Sequence, residues 1–286
     1  MSLPDDLALR DAVATDLPAI ASLRERVGWS VHEWALRAVV GAGWARCVVV
    51  TDGADAVVGV GSGAIYGPFG FVGNMVVAEE HRRRGVGAHV LEAVLEFLHA
   101  AGAERVELFA TAAGRPLYER FGFALMEPGA VASVPRSALT HDASIVITTA
   151  APETIKELTA YDIPRFGGDR GELLGLLATD PEHPLLIARA GAQLVGFAWI
   201  RPDTGRMGPF VADDPTVAAT LLADAFDRLP GTDVLTFNLP MSNDPGVAWL
   251  RSMEVELEPW DGRMGRGPEV TRRTSTIYGN AVGALG

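Results

Sequence analysis

The chain has 286 residues, enough for two ordinary domains, and its 48% hydrophobic and 21% charged residues are typical of a soluble protein with a sizeable core. The formal net charge is −12, and acidic residues outnumber basic ones on both sides of residue 140. Extended binding to nucleic acid or to an anionic membrane is therefore not expected. Cys47 is the only cysteine and lies in a predicted strand, so we expect a buried thiol and no intrachain disulfide. The histidines show no metal-ligand spacing, no apolar run is long enough to cross a bilayer, and the amino end does not resemble a signal peptide, so we expect a cytoplasmic protein without a bound metal.

Taken from the amino end, the first half predicts a strand, two helices, three strands, a helix, a strand, a helix and a strand. The segments are LALRDAV, DLPAIASLRERVG, VHEWALRAVVGAG, ARCVVVTDGA, AVVGVGSGAIYG, FGFVGNMVVAEE, GVGAHVLEAVLEFL, RVELFAT, GRPLYERFG and FALMEPG. In the long helix, Val90, Leu91, Val94, Leu95 and Leu98 share one apolar face. This order favours helices layered on a largely antiparallel sheet.

A second cycle of elements follows a connection over residues 128–147. It predicts two helices, a hairpin, a strand, a helix, a strand, a short helix and a last strand, with the tail TSTIYGNAVGALG forming a strand or helix on either domain. The order repeats at an offset of about 130 residues, which indicates an internal duplication. We therefore predict an α/β (α+β) fold with two domains, residues 1–135 and 136–286, each a mixed, largely antiparallel sheet flanked by helices.

The densest positive charge of this acidic chain lies in the turn RRRGVG, residues 82–87, directly before the long helix. A helix entered through this turn offers free backbone N–H groups at its positive end, and Gly85 and Gly87 lack the Cβ atoms that would keep a phosphate at a distance. Arginines add charge-assisted hydrogen bonds. The turn has neither the ending of a P-loop nor the three-glycine spacing of a dinucleotide fingerprint. These residues alone leave two interpretations open, a local anion site and a solvated basic patch.

The pattern Arg82-x-x-Gly85-x-Gly87, between NMVVAEEHR and the helix, resembles the acyl-CoA pyrophosphate loop of the GNAT superfamily of N-acetyltransferases. GRPLYERFGF resembles that family's tyrosine-bearing helix and the Gly-Phe entry of the next strand. VGWSVHEW, GPFVADD and DGRMGRG resemble segments of tandem bacterial members, whose second half is a degenerate acetyltransferase domain. The resemblance covers nearly the whole chain and implies a GNAT fold for both domains.

The resemblance also implies an acyl-CoA co-substrate, acetyl-CoA in the first instance, bound by the first domain. Its pantetheine is expected to lie like an extra strand beside a bulge in the fourth strand, against the backbone of Met75, Val76 and Val77. A backbone N–H group there is expected to polarise the thioester carbonyl. The residues expected to hold the pyrophosphate are Arg82, Arg83, Arg84, Gly85, Val86, Gly87 and Ala88.

Attack by an amine on a thioester requires a neutral nucleophile and expels a thiolate, so a base and an acid are both useful. Tyr118 stands where the family has its tyrosine acid, and packing of its ring is the alternative role. Some members carry a glutamate at the position of Gly73, which has no side chain to act as a base. His32 and Glu33 are candidate bases, and a water relay or deprotonation of the amine before binding are the other possibilities.

The second copy reads VADDPTVAATLL at the turn, with neither glycine nor arginine, and Asp213 and Asp214 would repel a pyrophosphate. Trp249, roughly in the place of Tyr118, has no ionisable hydroxyl group. We therefore predict that the second domain lacks a CoA site and serves to pack against the first domain and to wall the acceptor pocket.

Three residues are candidates for binding the acceptor. Asp162 and Glu33 are expected to meet a substrate ammonium group, and Trp29 is expected to offer an aromatic wall. A surface or helix-capping role for Asp162, a solvated position for Glu33 and a core position for Trp29 are the alternatives.

The sequence thus predicts an enzyme, active in its first half, that transfers acetyl from acetyl-CoA to a primary amine of a small molecule, as a monomer or a homodimer. A non-catalytic acyl-CoA sensor is the first alternative, favoured by the missing base. Aminoacyl transfer from a tRNA is the second, and the acidic composition counts against it.

Overall fold

The structure is a computed structural model that describes residues 3–29, 33–139, 141–281 and 283–286, and the side chains at positions 33, 138 and 261 lie outside this description. The chain divides into two compact units. Unit 1 comprises Met1–Ala124, Met264–Glu269 and Gly283–Gly286, and unit 2 comprises Leu125–Arg263 and Val270–Val282. The division differs from the boundary predicted at residue 135, because the strand Ala124–Pro135 pairs with Val234–Pro240 of unit 2.

Unit 1 contains the predicted order of strands and helices as far as the second short helix, whereas the last strand predicted for the first domain lies in unit 2. The elements are β1 (Leu7–Asp11), α1 (Leu17–Arg26), α2 (Glu33–Val39), β2 (Ala45–Asp52), β3 (Val57–Tyr66), β4 (Phe69–Val77), α3 (Val86–Ala100), β5 (Arg105–Phe109) and α4 (Arg115–Arg120). Strands β1 to β4 pair antiparallel in sequence order, and β5 joins β4 in parallel. The parallel pair is possible because α3 is the crossover connection between the two strands.

Helix α3 buries the apolar face that the sequence predicts. Val90, Leu91, Val94 and Leu98 are at most 1% exposed. Glycines on β3 allow this close packing, since a Cβ on Gly59 would lie only 2.8 Å from a methyl group of Val86. Larger side chains in that stretch of β3 would therefore push away the helix that carries the candidate anion turn.

Unit 2 repeats this plan. Its elements are β6 (Ala124–Pro135), β7 (Ile145–Thr149), α5 (Ile155–Phe166), α6 (Gly171–Ala178), β8 (Leu185–Ala190), β9 (Gln193–Arg201), β10 (Arg206–Ala212), α7 (Pro215–Arg228), β11 (Val234–Pro240), α8 (Asp244–Ser252), β12 (Leu257–Arg266, which from Met264 onward belongs to unit 1) and β13 (Ile277–Gly279). Strands β7 to β10 pair antiparallel in order, β10 and β11 start out parallel, and β11 pairs antiparallel with β6. The predicted fold class, with a largely antiparallel sheet flanked by helices, is confirmed.

Asp162 is an interior residue of unit 2, which corrects its expected role in binding the acceptor. It is 1% exposed, and both of its carboxylate oxygens accept hydrogen bonds from Arg170, at 2.7 and 3.0 Å. Arg170 is itself 3% exposed and lies over the ring of Phe166, 3.9 Å from the ring centroid. A buried, doubly bonded carboxylate is not available to a substrate ammonium group.

We expect Asp162→Asn to lower the free energy of unfolding by about 3 kcal/mol, because it leaves the buried guanidinium of Arg170 without its counter-charge. Denaturant unfolding followed by circular dichroism measures the change. The control is Glu172→Gln, which removes an exposed carboxylate from the next helix and costs under about 1 kcal/mol. An unchanged stability together with a raised KM for the acceptor would restore the substrate-binding role.

Candidate active site

The arginine-glycine turn enters helix α3 through two residues with left-handed backbone. Arg83 has φ of 61° and Gly85, the N-cap residue, has φ of 85°. The N–H groups of Ala88 and His89 both donate to the carbonyl oxygen of Gly85, at 3.0 and 3.1 Å. The donors that a helix start leaves for an anion therefore precede Ala88, which corrects the expected range at its carboxyl end.

Gly87 lies in the first turn of the helix, and the fold does not require a glycine there. A Cβ on this residue would lie 3.4 Å from a methyl group of Leu117 and 3.6 Å from one of Val77, which are ordinary contacts. Its φ is not left-handed either. A glycine that packing does not require is consistent with the close approach of a phosphate to the backbone, and it supports the anion interpretation of the turn over the solvated patch.

The three arginines of the turn have different surroundings. Arg84 donates from Nη2 to both carboxylate oxygens of Asp6, at 2.7 and 2.8 Å, and this bond holds the pKa of the Asp6 carboxyl below its ordinary value. Arg82 donates from Nε to the carbonyl oxygen of Val77 at 3.2 Å. Arg83 is exposed. Arg83 and the terminal nitrogens of Arg82 are therefore the side-chain groups best placed to meet an anion.

Strand β4 carries the expected bulge. Ser62 pairs with Gly73 and Val60 with Val76, so the two residues Asn74 and Met75 oppose the single residue Gly61. Asn74 has φ of 55°, a left-handed value that asparagine tolerates better than most residues. The bulge re-aims the backbone of β4 at the end of the strand where the thioester is expected.

A buried polar chain holds the bulge in place, and the sequence analysis did not identify it. Arg24 of α1 donates from Nη1 to Oδ1 of Asn74 at 2.5 Å, and Nδ2 of Asn74 donates to the hydroxyl of Ser62 at 2.9 Å. Burial lowers the pKa of Arg24. Arg24 lies 50 positions from Asn74 in the chain, and only the left-handed preference of asparagine gave a local signal.

The pairing of β4 with β5 ends before the bulge, and β5 itself ends at Phe109. Their parallel pairing runs from Phe69 opposite Arg105 to Val72 opposite Leu108, whereas β4 continues to Val77. The backbone of Met75, Val76 and Val77 therefore has no strand partner in β5, and this unpaired stretch on the β5 side is here called the opening. An extended chain such as a pantetheine arm fits such an opening as an additional strand.

Tyr118 lies in α4 and is 6% exposed. Its ring packs edge-on against Phe123 with the centroids 6.1 Å apart, and a Cβ on Gly114 would lie 3.0 Å from it. Burial raises the pKa of the Tyr118 phenol to about 12. The hydroxyl therefore stays protonated at neutral pH, which a proton donor requires.

The remaining predicted residues divide between the described and the undescribed parts of the chain. Trp29 is half-buried, and its ring lies 5.8 Å from the guanidinium carbon of Arg24. Trp29 does not itself touch the bulge through this contact, but it packs near Arg24, which donates a hydrogen bond to Asn74 of the bulge. The side chain of Glu33 and the whole of His32 lie outside the described residues.

In unit 2 the helix start that corresponds to the arginine-glycine turn is filled by the protein's own side chains. Asp214 caps α7, accepting from the N–H groups of Thr216 at 2.7 Å and Val217 at 3.0 Å. Asp213 accepts from Arg165 at 2.5 Å and from the hydroxyl of Tyr161 at 2.9 Å. A carboxylate already occupies the place of a phosphate.

The strand opening of unit 2 is filled as well. Strands β10 and β11 pair only at Arg206 and Thr236, and β13 then runs antiparallel to β10, with Gly279 opposite Phe210. Asn280 donates its N–H to the carbonyl oxygen of Asn238 in β11 at 3.3 Å. Strand β13 thus takes the position in unit 2 that the pantetheine is expected to take in unit 1. Trp249 packs against Tyr278 of this strand, with ring centroids 6.0 Å apart.

Cys47 is a buried residue of β2. The Cys47 thiol is 3% exposed, as expected, and burial raises its pKa to about 12. Within the described ranges, no three His, Cys, Asp or Glu side chains come together as metal ligands would. The same part of the chain has no helix with the length and apolar character of a membrane span.

The two units correspond to two family models. Residues 15–123 match the acetyltransferase (GNAT) family, and residues 158–279 match an acetyltransferase (GNAT) domain. These are the two copies that the repeated order of elements indicates, and both carry the family's pattern even though the sites differ.

Similar proteins agree with this result. The chain is 28% identical over 163 residues to the uncharacterized N-acetyltransferase YitH of Bacillus subtilis (strain 168), a match that spans 55% of this chain and 56% of that protein. It is 29% identical over 214 residues to the mycothiol acetyltransferase of Clavibacter sepedonicus, spanning 65% of this chain and 69% of that protein. A crystal structure assigned as an acetyltransferase of Pyrococcus horikoshii shares the fold, with a TM-score of 0.80 at 23% identity over 99% of this chain and 96% of that chain. With family models matching both copies, the chain belongs to the GNAT family as a tandem member, and it is an N-acetyltransferase of a family whose co-substrate is acetyl-CoA.

Proposed function

We propose that unit 1 transfers an acetyl group from acetyl-CoA to a primary amine of a small molecule. The observation that carries the proposal is the opening between β4 and β5, which lies beside the bulge at Asn74. In unit 2 the chain's own strand β13 lies in the corresponding opening, so a strand-shaped occupant suits this part of the fold. The name of the Clavibacter sepedonicus relative, a mycothiol acetyltransferase, supports a small-molecule acceptor.

The reaction forms a C–N bond and breaks the C–S bond of the thioester. An ordinary alkylamine is neutral in only about one of 2,500 molecules at pH 7, so the attacking species is scarce unless the amine loses its proton. A backbone N–H group at the bulge polarises the thioester carbonyl and stabilises the negative charge that develops on its oxygen. Tyr118 then donates its phenolic proton to the departing sulfur, and the proton that the amine loses goes to a base.

Among the described side chains we assign no base. Gly73 has no side chain to act as a base, and the side chains of the candidates His32 and Glu33 lie outside the described part of the structure. A water molecule that passes the proton to solvent, or deprotonation of the amine before it binds, serves the reaction without a dedicated residue. With Asp162 removed from the site, the preference for a positively charged acceptor rests on the net charge of −12 and on Glu33.

A panel of primary amines tests this function. Purified protein with acetyl-CoA is expected to release free thiol with at least one small amine and to give an N-acetylated product of the corresponding mass. The acceptors differ in the groups that they carry besides the reacting amine. Polyamines carry further positive charge, amino sugars carry neutral hydroxyl groups, and acidic amino acids carry carboxylates. Tight binding of acetyl-CoA without turnover on any amine would instead support the sensor function, since the same opening serves both.

A further inference from the structure

Residues Gly283–Gly286, here called the return segment, belong to unit 1 although the strand that precedes them in the chain, β13, belongs to unit 2. Leu285 is 0% exposed and Ala284 is 7% exposed. The hydroxyl of Tyr66, at the end of β3, donates to the carbonyl oxygen of Leu285 at 2.7 Å. The segment therefore has a defined place on the sheet of unit 1.

The return segment packs on Gly73 of β4. A Cβ on this residue would lie 2.5 Å from the Cα of Ala284 and 2.6 Å from its carbonyl carbon, with the carbonyl oxygen closer still. Backbone atoms cannot give way as a flexible side chain can, so only glycine allows the return segment to lie here. Tyr66 and Gly73 face the same side of the sheet, because Tyr66 pairs with Phe69 and Gly73 lies four positions after Phe69 along β4, an even offset.

Strand β13, which precedes the return segment in the chain, makes buried contacts within unit 2. The carbonyl oxygen of Ile277 accepts from Nδ2 of Asn243 at 2.9 Å, and the fully buried ring of Tyr278 lies 5.3 Å from that of Phe210, measured between centroids. Both contacts lie within unit 2.

We propose that the return segment is a wall of the acceptor site in unit 1. The proposal rests on the proposed amine acetylation. Gly73 immediately precedes the bulge whose backbone polarises the thioester, so the chain packed on Gly73 borders the reacting carbonyl group. The backbone of Ala284 fills the space directly above Gly73, so the segment limits the room beside the reacting carbonyl group and favours amines on an unbranched carbon.

The first arm of the test measures docking without any need for activity. Leu285→Cys places a thiol in the segment, and the only other cysteine, Cys47, is buried with its pKa raised to about 12, so it reacts slowly with a maleimide. Adding Gly73→Val is expected to speed labelling of the introduced thiol at least about tenfold, because the β-branched side chain displaces the segment. Gly43→Val is the matched control, since a Cβ there meets nothing within 4 Å. Tyr66→Phe is a milder second variant, which removes only the hydroxyl that bonds Leu285.

The second arm compares amines. In Gly73→Val, with the natural Leu285 retained, the ratio of kcat/KM for an unbranched amine to that for an α-branched amine is expected to fall at least about tenfold, while the acetyl-CoA Kd changes less than about threefold. Gly43→Val is expected to leave the ratio unchanged. Unchanged labelling in both Gly73→Val and Tyr66→Phe would refute the docking, and faster labelling with an unchanged ratio would refute the role in selecting acceptors. If the unmodified protein acetylates no amine, both the proposed function and the role of the return segment at the acceptor site are refuted. The rate of maleimide labelling then still shows whether the segment is docked on β4.

Discussion

Replacing Tyr118 by phenylalanine is expected to lower kcat by about 10²–10⁴-fold, the usual contribution of a general acid. The effect falls on kcat because proton donation to sulfur matters only when negative charge develops there in the transition state. Phenylalanine retains the ring that packs against Phe123, so the structure of α4 is expected to persist. The acetyl-CoA Kd, measured by calorimetry, is expected to change less than about threefold.

The pH profile separates donation from packing. Since burial raises the pKa of Tyr118 to about 12, the unmodified enzyme is expected to show no loss of kcat near pH 10, where an ordinary tyrosine ionises. Tyr278→Phe is the matched control, because it removes a hydroxyl from a buried tyrosine of unit 2. Equal turnover in Tyr118→Phe and in the unmodified enzyme would leave Tyr118 with a packing role and would favour the acyl-CoA sensor.

Acetyl-CoA is expected to bind once per chain, and Gly87→Val is expected to weaken this binding by about 100-fold or more. A side chain at this position keeps the pyrophosphate from the first-turn N–H groups, and two lost hydrogen bonds to a charged group are worth about 3 kcal/mol or more together. Valine is no worse than glycine within a helix, so α3 itself is not weakened. Replacing Gly85 by a bulky residue as well is expected to abolish binding, although its φ of 85° adds backbone strain to that variant.

Gly175→Val is the matched control for this experiment. Gly175 lies within helix α6 of unit 2, and a Cβ there meets nothing within 4 Å. The acetyl-CoA affinity of the Gly175→Val protein is therefore expected to equal that of the unmodified protein. Calorimetry that shows two equal sites per chain would contradict the assignment to unit 1, and an unchanged affinity in Gly87→Val would contradict the phosphate site at the turn.

The sequence by itself determined the order of the elements, the duplication and the position of the arginine-glycine turn. Each of these depends on residues close together in the chain. The apolar face of α3 repeats with the helical period, and the glycines and arginines of residues 82–87 are neighbours in the sequence. The resemblance to the GNAT family rests on motifs of the same local kind, and the family models confirm it.

Only the tertiary structure decided which groups meet across the fold. The burial of Asp162 depends on how α5 and α6 bring Arg170 to it, and the contact with a substrate ammonium group expected for this residue was wrong because an isolated aspartate carries no sign of a buried partner. The absence of a side chain at Gly73 is explained by Ala284, more than two hundred positions away. Strand β13 has only three residues, too few for a period-two pattern, and its place beside β10 is set by backbone pairing. Contacts between distant residues depend on the packing of whole elements, and such packing leaves no periodic trace in any local stretch of the sequence.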